Sequence, residues 1–420
     1  MSLMTRSALS TYGTAGTEEL APYAFALALV GGVFLLTLGV LRLGFISNFI
    51  PHSVMSAFMT ASGFIIIMSQ MGTLFKLTIT TSEDFFVQFS DLIHKLNGAQ
   101  ALTAGIGIAG TAIGLAYYLL KKRWKWLTFV PIPFMVTAIS IILSWKLDLN
   151  GKNVKVVGTI PSGFPNFSKP SFGDSVGSII GHGVLIGFVC YVETISLGQF
   201  YGPLNGHTVV PNQEMIALGM GNLLGAFTSS YPTGGSYART PVNAEAGARS
   251  QVAELITLVL TMIAMNTLTG VLYYVPNTIL SSIVIVSGVA CWDFKSLVGL
   301  WKRNKIETLV WASTFFGTLI LSVQCGIAVG VGVSIILILF PIAFPDTFVL
   351  GRLSGLKAYR AVKIFPEALV HPSISVVRID SPLCYLNATF VTKFFKDLMT
   401  KSHYPVKVTL FFAFSQFQFR

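Results

Sequence analysis

Charged residues are scarce in this chain of 420 residues: they make up 11% of it, while hydrophobic residues make up 53%. The mean hydropathy is +0.71. A soluble globule of this length needs a largely charged surface, so the shortage of charge excludes that class. The composition instead predicts a polytopic α-helical membrane protein that contacts the lipid bilayer over most of its surface.

Cysteine is also sparse, and several catalytic signatures are missing. The four cysteines are scattered, with no CxxC pair and no Cys/His cluster, so we expect them to pack in the interior and predict no metal site and no cofactor. The sequence has no P-loop, no nucleophile elbow, no paired acid and base carboxylates and no zinc-ligand spacing. Nothing therefore supports an enzyme, and we predict that the protein is not one.

Long apolar runs are what the sequence has in abundance. Most are about 20 residues long, which is the length of a helix that crosses the hydrocarbon core. They cover residues 21–40, 53–71, 101–120, 127–145, 176–197, 215–230, 252–271, 278–291, 309–323 and 327–344. Together with one interrupted polar segment, these runs predict about eleven elements in the membrane.

The net charge of +11 comes from basic residues that cluster in short loops between the runs. Three clusters lie within 121–125, 295–305 and 352–363. Placement between apolar spans fits the positive-inside rule and not a nucleic-acid surface, so we predict no nucleic-acid partner and a cytoplasmic location for all three clusters. The loop over 146–174 is then expected to lie outside.

The most informative segment, 233–249, is a polar, glycine-rich and doubly basic island among apolar runs. Irregular backbone at membrane depth is tolerated only where protein or a water-filled cavity covers it, so the island predicts a broken helix that lines a cavity. Glycines let a ligand approach the main chain, and the start of a helix attracts an anion. The predicted anion-binding residues are Gly235, Ser236, Tyr237, Ala238, Arg239 and Thr240.

Structural roles are the alternatives for these residues. Arg239 would then pair with Glu193 or extend to a membrane interface. Ser236 and Thr240 would satisfy backbone groups in a bent helix. Glu193 itself lies inside an apolar run, where a carboxylate is costly unless it is protonated or paired. A functional role and a fixed ion pair with Arg239 are the two explanations for its presence.

The organisation of the chain changes near residue 346, where the long apolar runs end. Residues 373–379 alternate like a strand, 387–400 predict an amphipathic helix, and 406–412 predict another strand. We therefore divide the chain into a membrane domain over 1–345 and a linker with a small α/β domain over 346–420. Two strands and a helix bury too little apolar surface for a core, so we expect this domain to be incomplete.

Several segments, taken in order, resemble the sulfate permease family, also called solute carrier 26. Residues 212–219 resemble its NQELIALG signature, and residues 235–243 resemble its GSFSRSAVN segment. The remaining matches are the LGFL turn at 43–58, the LWKxxK and glycine-repeat segments at 300–305 and 326–334, and the start of the STAS domain, RIDxPLxFxNA, at 378–388. Together these matches cover nearly all of the chain.

The resemblance implies fourteen transmembrane elements in two inverted repeats of seven, with a core domain that moves against a gate domain. The third and tenth elements of that fold are half-helices that face each other across the anion, and residues 236–249 resemble the tenth. The first two elements have no counterpart here. We therefore expect about eleven to twelve of the fourteen, in a chain that is either a fragment or a truncated relative.

The resemblance also implies a function. In plant and bacterial members, proton coupling is assigned to a glutamate at the position that Glu193 matches. The expected function is proton-coupled sulfate symport by alternating access, by a homodimer in the plasma membrane with a cytosolic STAS domain. The alternatives are an exchanger or channel for chloride, bicarbonate or oxalate, and a truncated partner of full-length relatives that does not itself transport.

Overall fold

The structure is a computed structural model, and it describes residues 2–10, 17–79, 84–124, 127, 130–164, 166–173, 175–204, 206–236, 239–245, 247–248, 250–321, 323–353, 358–370, 374–401 and 407–410. Helices dominate the first part of the chain. They are α1 Ser2–Ser10, α2 Thr17–Val40, α3 His52–Phe75, α4 Phe85–Lys95, α5 Ala101–Arg123, α6 Ile132–Leu147, α7 Val176–Leu204, α8 Pro211–Phe227, α9 Arg239–Glu245, α10 Val252–Thr267, α11 Thr269–Leu272, α12 Asn277–Ala290, α13 Phe294–Arg303, α14 Lys305–Ile320 and α15 Val323–Ala343.

The apolar runs of the sequence coincide with helices, each with one of α2, α3, α5, α6, α7, α8, α10, α12, α14 and α15. Among the described residues, six segments are long and apolar enough to cross a membrane, one of which, Asn277–Arg303, includes both α12 and α13; α6 and α10 are shorter apolar helices. The run predicted to start at residue 127 becomes helical only at Ile132. Pro131 caps this helix, because proline is tolerated at a helix start but disfavours helix in the residue before it.

Polar caps separate α13 from the spans on either side of it. The Asp293 carboxylate accepts a hydrogen bond from the Ser296 N–H (3.2 Å), and the Asn304 side chain accepts one from the Ile306 N–H (3.0 Å). These side chains satisfy N–H groups that have no partner within a first helical turn. Helix α12 therefore ends before Asp293, α13 is a short separate helix, and α14 begins after Asn304.

Helices α1, α2, α7 and α8 pack together in what we call the α2 group. The helices approach each other through glycine. A Cβ atom built on Gly219 would lie 2.6 Å from the Leu36 nitrogen and 2.9 Å from the Gly32 oxygen, and one built on Gly187 would lie 2.9 Å from the Gly31 Cα. Backbone packs on backbone at these crossings, as small residues allow between membrane helices.

Helices α3, α5, α12 and α14 form a second set, the α3 group. A Cβ atom on Gly63 would lie 2.6 Å from the Gly288 oxygen, so α3 and α12 also meet backbone to backbone. Ser56 donates to the Asp293 carboxylate (2.9 Å) and accepts from the Trp311 indole N–H (3.3 Å). This polar bridge fixes the end of α12 and the start of α13 to α3 and α14.

The chain divides into two compact units, Met1–Val331 and Gly332–Arg420. The second unit holds a four-stranded sheet made of β1 Thr347–Arg352, β2 Tyr359–Ala361, β3 Ile374–Ile379 and β4 Lys407–Leu410, with α16 Ala388–Lys401 between the last two strands. The strand order is β2-β1-β3-β4; β1 is antiparallel to β2 and β3, and β3 is parallel to β4. The domain boundary expected at 345/346 stays a prediction.

The core of the second unit lies between the sheet and α16. Val377, Ile379 and Val391 are buried there, and apolar side chains of α16 pack against them. The predicted helix and last two strands are confirmed, but the expectation of only two strands is wrong. It missed β1 and β2, because β1 follows directly on an apolar span and β2 has only three residues, so neither shows a separate alternating pattern.

Candidate functional site

The break between α8 and α9 lies directly against one face of α7. The Gly235 N–H donates to Thr194 Oγ1 (2.8 Å), and that hydroxyl in turn donates to the Cys190 carbonyl (2.8 Å). A Cβ atom on Gly235 would lie 2.9 Å from the Thr194 Cα, and one on Gly234 would lie 3.2 Å from the Cys190 Cα. The glycine pair is therefore needed for close approach of the main chain to α7, and the Gly235 N–H is already bonded to protein.

A second anchor, which sequence reasoning missed, is Asn222 of α8. Its side chain is 3% exposed. The Oδ1 atom accepts from the Thr233 N–H (2.7 Å), and the Nδ2 atom donates to the Thr233 carbonyl (2.9 Å) and to the Leu218 carbonyl (3.0 Å). One side chain thus holds both polar backbone groups of Thr233. Its signal in the sequence is a lone amide inside an apolar run.

Ser236 begins the half-helix. Its Oγ accepts from the Arg239 N–H (3.3 Å), and its carbonyl accepts from the Thr240 N–H (2.9 Å). This is the arrangement of a helix N-cap, and it leaves the hydroxyl proton of Ser236 available as a donor. Tyr237 and Ala238, also predicted to bind the anion, lie outside the described residues.

Arg239 and Glu193 are the charged residues of this region. The Arg239 side chain is exposed, and it forms no hydrogen bond or ion pair with any described residue. Glu193 is half-buried in α7, one residue before Thr194. No ion pair joins the two side chains, both of which the structure describes, so the fixed pair considered as an alternative is not formed.

Spacing along α7 relates Glu193 to the docked glycines. Residues three and four apart share a helix face, so Cys190, Glu193, Thr194 and Leu197 point in similar directions. Three of them, all except Glu193, provide the atoms closest to a Cβ on Gly234 or Gly235. Helical spacing therefore assigns Glu193 to the face of α7 on which the helix break docks. Arg239 follows Gly235 by four residues, which limits their Cα separation to about 14 Å.

The start of α8 is held by a third anchor, at the end of α2. The Gly44 N–H donates to Asn212 Oδ1 (2.7 Å), and the hydroxyl of the fully buried Tyr191 donates to the Gly44 carbonyl (3.4 Å). The sequence segments at 43–58 and 212–219 are thus packing partners. Together with Asn222 and Thr194, this contact fixes α7, α8 and the chain after them as one framework.

The structure shows no feature of a metal centre among the residues it describes. No group of three or more His, Cys, Asp or Glu side chains is placed to hold a metal ion there. The four cysteines, all of them described, form no disulfide, and Cys190 and Cys291 are buried. The chemistry available at the helix break is therefore that of an arginine, a carboxylate, hydroxyl groups and the main chain.

Asn222→Ala is expected to loosen the helix break. The substitution removes the side chain that bonds both the N–H and the carbonyl of Thr233, and each lost hydrogen bond costs about 0.5–1.5 kcal/mol. We expect the melting temperature of the purified protein in detergent to fall by roughly 3–6 °C. Asn266→Ala is the matched control, because Asn266 makes the same bond to the carbonyl four residues earlier (2.8 Å) but is exposed. Equal melting temperatures for the two variants would remove Asn222 as an anchor.

The chain is similar to known proteins over most of its length. The profile of the sulfate permease family matches residues 1–314. Sulfate transporter 4.1, chloroplastic, of Arabidopsis thaliana is 30% identical over 394 residues, which are 93% of this chain and 57% of that protein. High affinity sulfate transporter 1 of Stylosanthes hamata is 28% identical over 382 residues, which are 88% of this chain and 56% of that protein.

A solved structure described as the overall structure of SLC26A9 matches with a TM-score of 0.83, at 23% identity, over 96% of this chain and 67% of that one. The fold is therefore that of a multi-pass α-helical membrane transporter, as the sequence predicts. The chain belongs to the sulfate permease family, a family of anion transporters. It spans less than two thirds of the length of the curated relatives that it matches.

Proposed function

We propose that the protein is a proton-coupled sulfate symporter that works by alternating access. The observation that carries the proposal is the docking of the Gly234–Gly235 break on the face of α7 that holds Glu193. This contact supports the proposal, because it joins the proposed anion-binding segment and a titratable carboxylate to one framework. The names of the similar plant proteins, which are sulfate transporters, support sulfate as the anion.

The proposed binding step uses groups that are not already engaged. Arg239 provides a planar fork of donors suited to an oxyanion, the Ser236 hydroxyl donates from just before α9, and the Thr240 hydroxyl donates from its first turn. Backbone groups near the helix start add partial positive charge. We therefore keep Gly235, Ser236, Tyr237, Ala238, Arg239 and Thr240 as the proposed site, with Gly235 acting through its position and not through its bonded N–H.

The proposed coupling step is protonation of Glu193. Sulfate is a dianion, and one arginine offsets only half of its charge. An ionised Glu193 beside the loaded site would add further negative charge in a medium of low dielectric, where like charges repel strongly. A proton on Glu193 removes that repulsion, so the anion and the proton load together.

The proposed conformational step is a movement of the α2 group against the α3 group. Helices within each group meet backbone to backbone, at Gly32–Gly219 in one and Gly63–Gly288 in the other. Tightly packed bodies of this kind move as units, while the contacts between them change. The helix break and Glu193 would travel with the α2 group, because α7 and α8 belong to it.

Vesicles containing the purified protein test the function. Under an inward proton gradient, labelled sulfate is expected to accumulate in vesicles loaded only with gluconate, and a protonophore should abolish this uptake. Uptake that requires internal chloride, bicarbonate or oxalate would identify the exchanger instead. A chain that carries sulfate only when mixed with a full-length relative would be the non-transporting partner.

The second unit is proposed to be the STAS region, placed in the cytosol, and the protein to be a homodimer in the plasma membrane. In intact cells, a tag inserted after Gly158 is expected to bind antibody from outside, because a single span, α6, separates its loop from the basic cluster at 121–125 that the positive-inside rule places in the cytoplasm. A tag inserted after Arg352 should bind only after permeabilisation. Access of antibody to neither tag in intact cells would favour an internal membrane, such as that of the chloroplastic relative.

A further inference from the structure

The short helix α13 presents a largely exposed apolar stripe, whose first residue, Phe294, also meets Phe64 of α3 (ring centroids 6.4 Å apart) and Trp292 (6.0 Å). Phe294, Val298 and Trp301 follow one another at helical spacing and are 42%, 55% and 63% exposed. Helix α13 also packs on α3 and α14. The name α13 face is used below for the stripe formed by these three residues.

Two exposed lysines lie beside the α13 face, and an exposed arginine is the last residue of the helix. Lys295, Lys302 and Arg303 are exposed, and none forms a hydrogen bond or ion pair with another residue in the described part of the chain. Lys295 and Lys302 are seven residues apart, so they lie on one side of the helix, next to the stripe. The nearest carboxylates in sequence are Asp293, which is bonded to Ser56 and Ser296, and Glu307, which accepts a hydrogen bond from Asn304 (3.5 Å).

The position of α13 determines what the stripe can meet. The helix has 10 residues, too few to cross a bilayer, and it joins the end of α12 to the start of α14. The bridge from Asp293 through Ser56 to Trp311 holds it at that end of the α3 group. A short helix with aromatic residues on one face and Lys/Arg beside them, fixed where a span leaves the membrane, has the pattern of an interfacial helix.

We propose that the α13 face lies in the inner leaflet of the membrane and binds the anionic headgroups of phospholipids. Phe294, Val298 and Trp301 enter the headgroup boundary, while Lys295, Lys302 and Arg303 contact lipid phosphate or carboxylate groups. Helix α4 is the contrast within the same chain. It exposes Phe86, Phe89 and Ile93, but its Lys95 is paired with Asp91 (2.9 Å), so it lacks the free positive charge that selects anionic lipid.

Tryptophan fluorescence in nanodiscs tests this surface. The signal of Trp301 is obtained by subtracting the spectrum of Trp301→Phe from that of the parent, which has six tryptophans. Brominated phosphatidylserine is expected to quench this signal more than brominated phosphatidylcholine at the same mole fraction. Each basic residue near an anionic membrane surface strengthens binding to that surface by about fivefold. The triple variant K295Q/K302Q/R303Q should therefore remove the excess quenching.

Two controls isolate the effect. The variant K152Q/K155Q/K169Q neutralises three exposed lysines in the loop expected on the other side, and it should keep the full excess. High salt screens exposed charges, so it should reduce the excess quenching by phosphatidylserine in the unsubstituted protein. This measurement tests the contribution of charge without any mutation. Equal quenching by the two lipids would overturn the proposal. So would a Trp301 signal quenched by aqueous acrylamide alone, or one protected from lipid and acrylamide alike.

Discussion

Arg239→Ala is expected to weaken sulfate binding by about 10- to 100-fold, because hydrogen bonds to a charged group contribute about 1.5–3 kcal/mol. The helix dipole alone provides only about 0.3–1 kcal/mol at an exposed end, so the side chain should carry much of the affinity. In the structure the guanidinium is exposed and bonded to no described residue, which leaves it available for an anion. Arg239→Lys keeps the charge but loses the planar fork, so its affinity should be intermediate.

A direct binding assay with labelled sulfate and purified protein measures this effect. Surface expression and an unchanged elution profile in detergent establish that each variant is folded. Arg352→Ala, at an exposed arginine in the second unit, is the control and should bind as the parent does. If folded Arg239→Ala also bound sulfate as tightly as the parent, the arginine would be structural, and the site would consist of main-chain donors or lie elsewhere.

Glu193→Gln is expected to abolish the dependence of sulfate uptake on pH. In the parent, uptake should rise as the external pH falls, because the protonated carboxyl is the form that loads the dianion. The amide of glutamine imitates the neutral carboxyl in shape but has no proton to exchange. Uptake by the variant should therefore be nearly constant with pH, and a proton gradient should no longer drive accumulation.

Glu254→Gln is the matched control for this experiment. Glu254 is an exposed carboxylate of α10 that accepts a hydrogen bond from Asn243 (2.6 Å), and glutamine retains an oxygen for that bond. We expect this variant to keep the pH response of the parent. Retention of the full response by Glu193→Gln would make Glu193 a structural residue and assign coupling to another group.

The positions of the helices could be predicted from the sequence because each apolar run is a local feature. Their ends were less accurate where a proline or a polar cap fixes the boundary, as Pro131 does for α6. The break between α8 and α9 could also be located, since glycines and charges interrupt an apolar pattern there. The sequence explained the two glycines only in part. They allow the chain to bend, but they are also needed for its close approach to α7.

The contacts that build the site could not be predicted, because they join residues far apart in the chain. Gly235 meets Thr194 across 41 residues, and Gly44 meets Asn212 across 168. No periodic pattern specifies such a pair, since helix packing decides it. Asn222 was missed for a related reason, because a single amide within an apolar run gives no indication of which backbone group it holds.

Calorimetric titration of the purified protein with sulfate tests the central claim, that sulfate and a proton load at one site. The titration is repeated in buffers with different enthalpies of ionisation, so that the difference in heat gives the protons taken up on binding. We predict net proton uptake by the parent and none by Glu193→Gln. Sulfate binding by the parent with no exchange of protons at any pH tested would contradict the account.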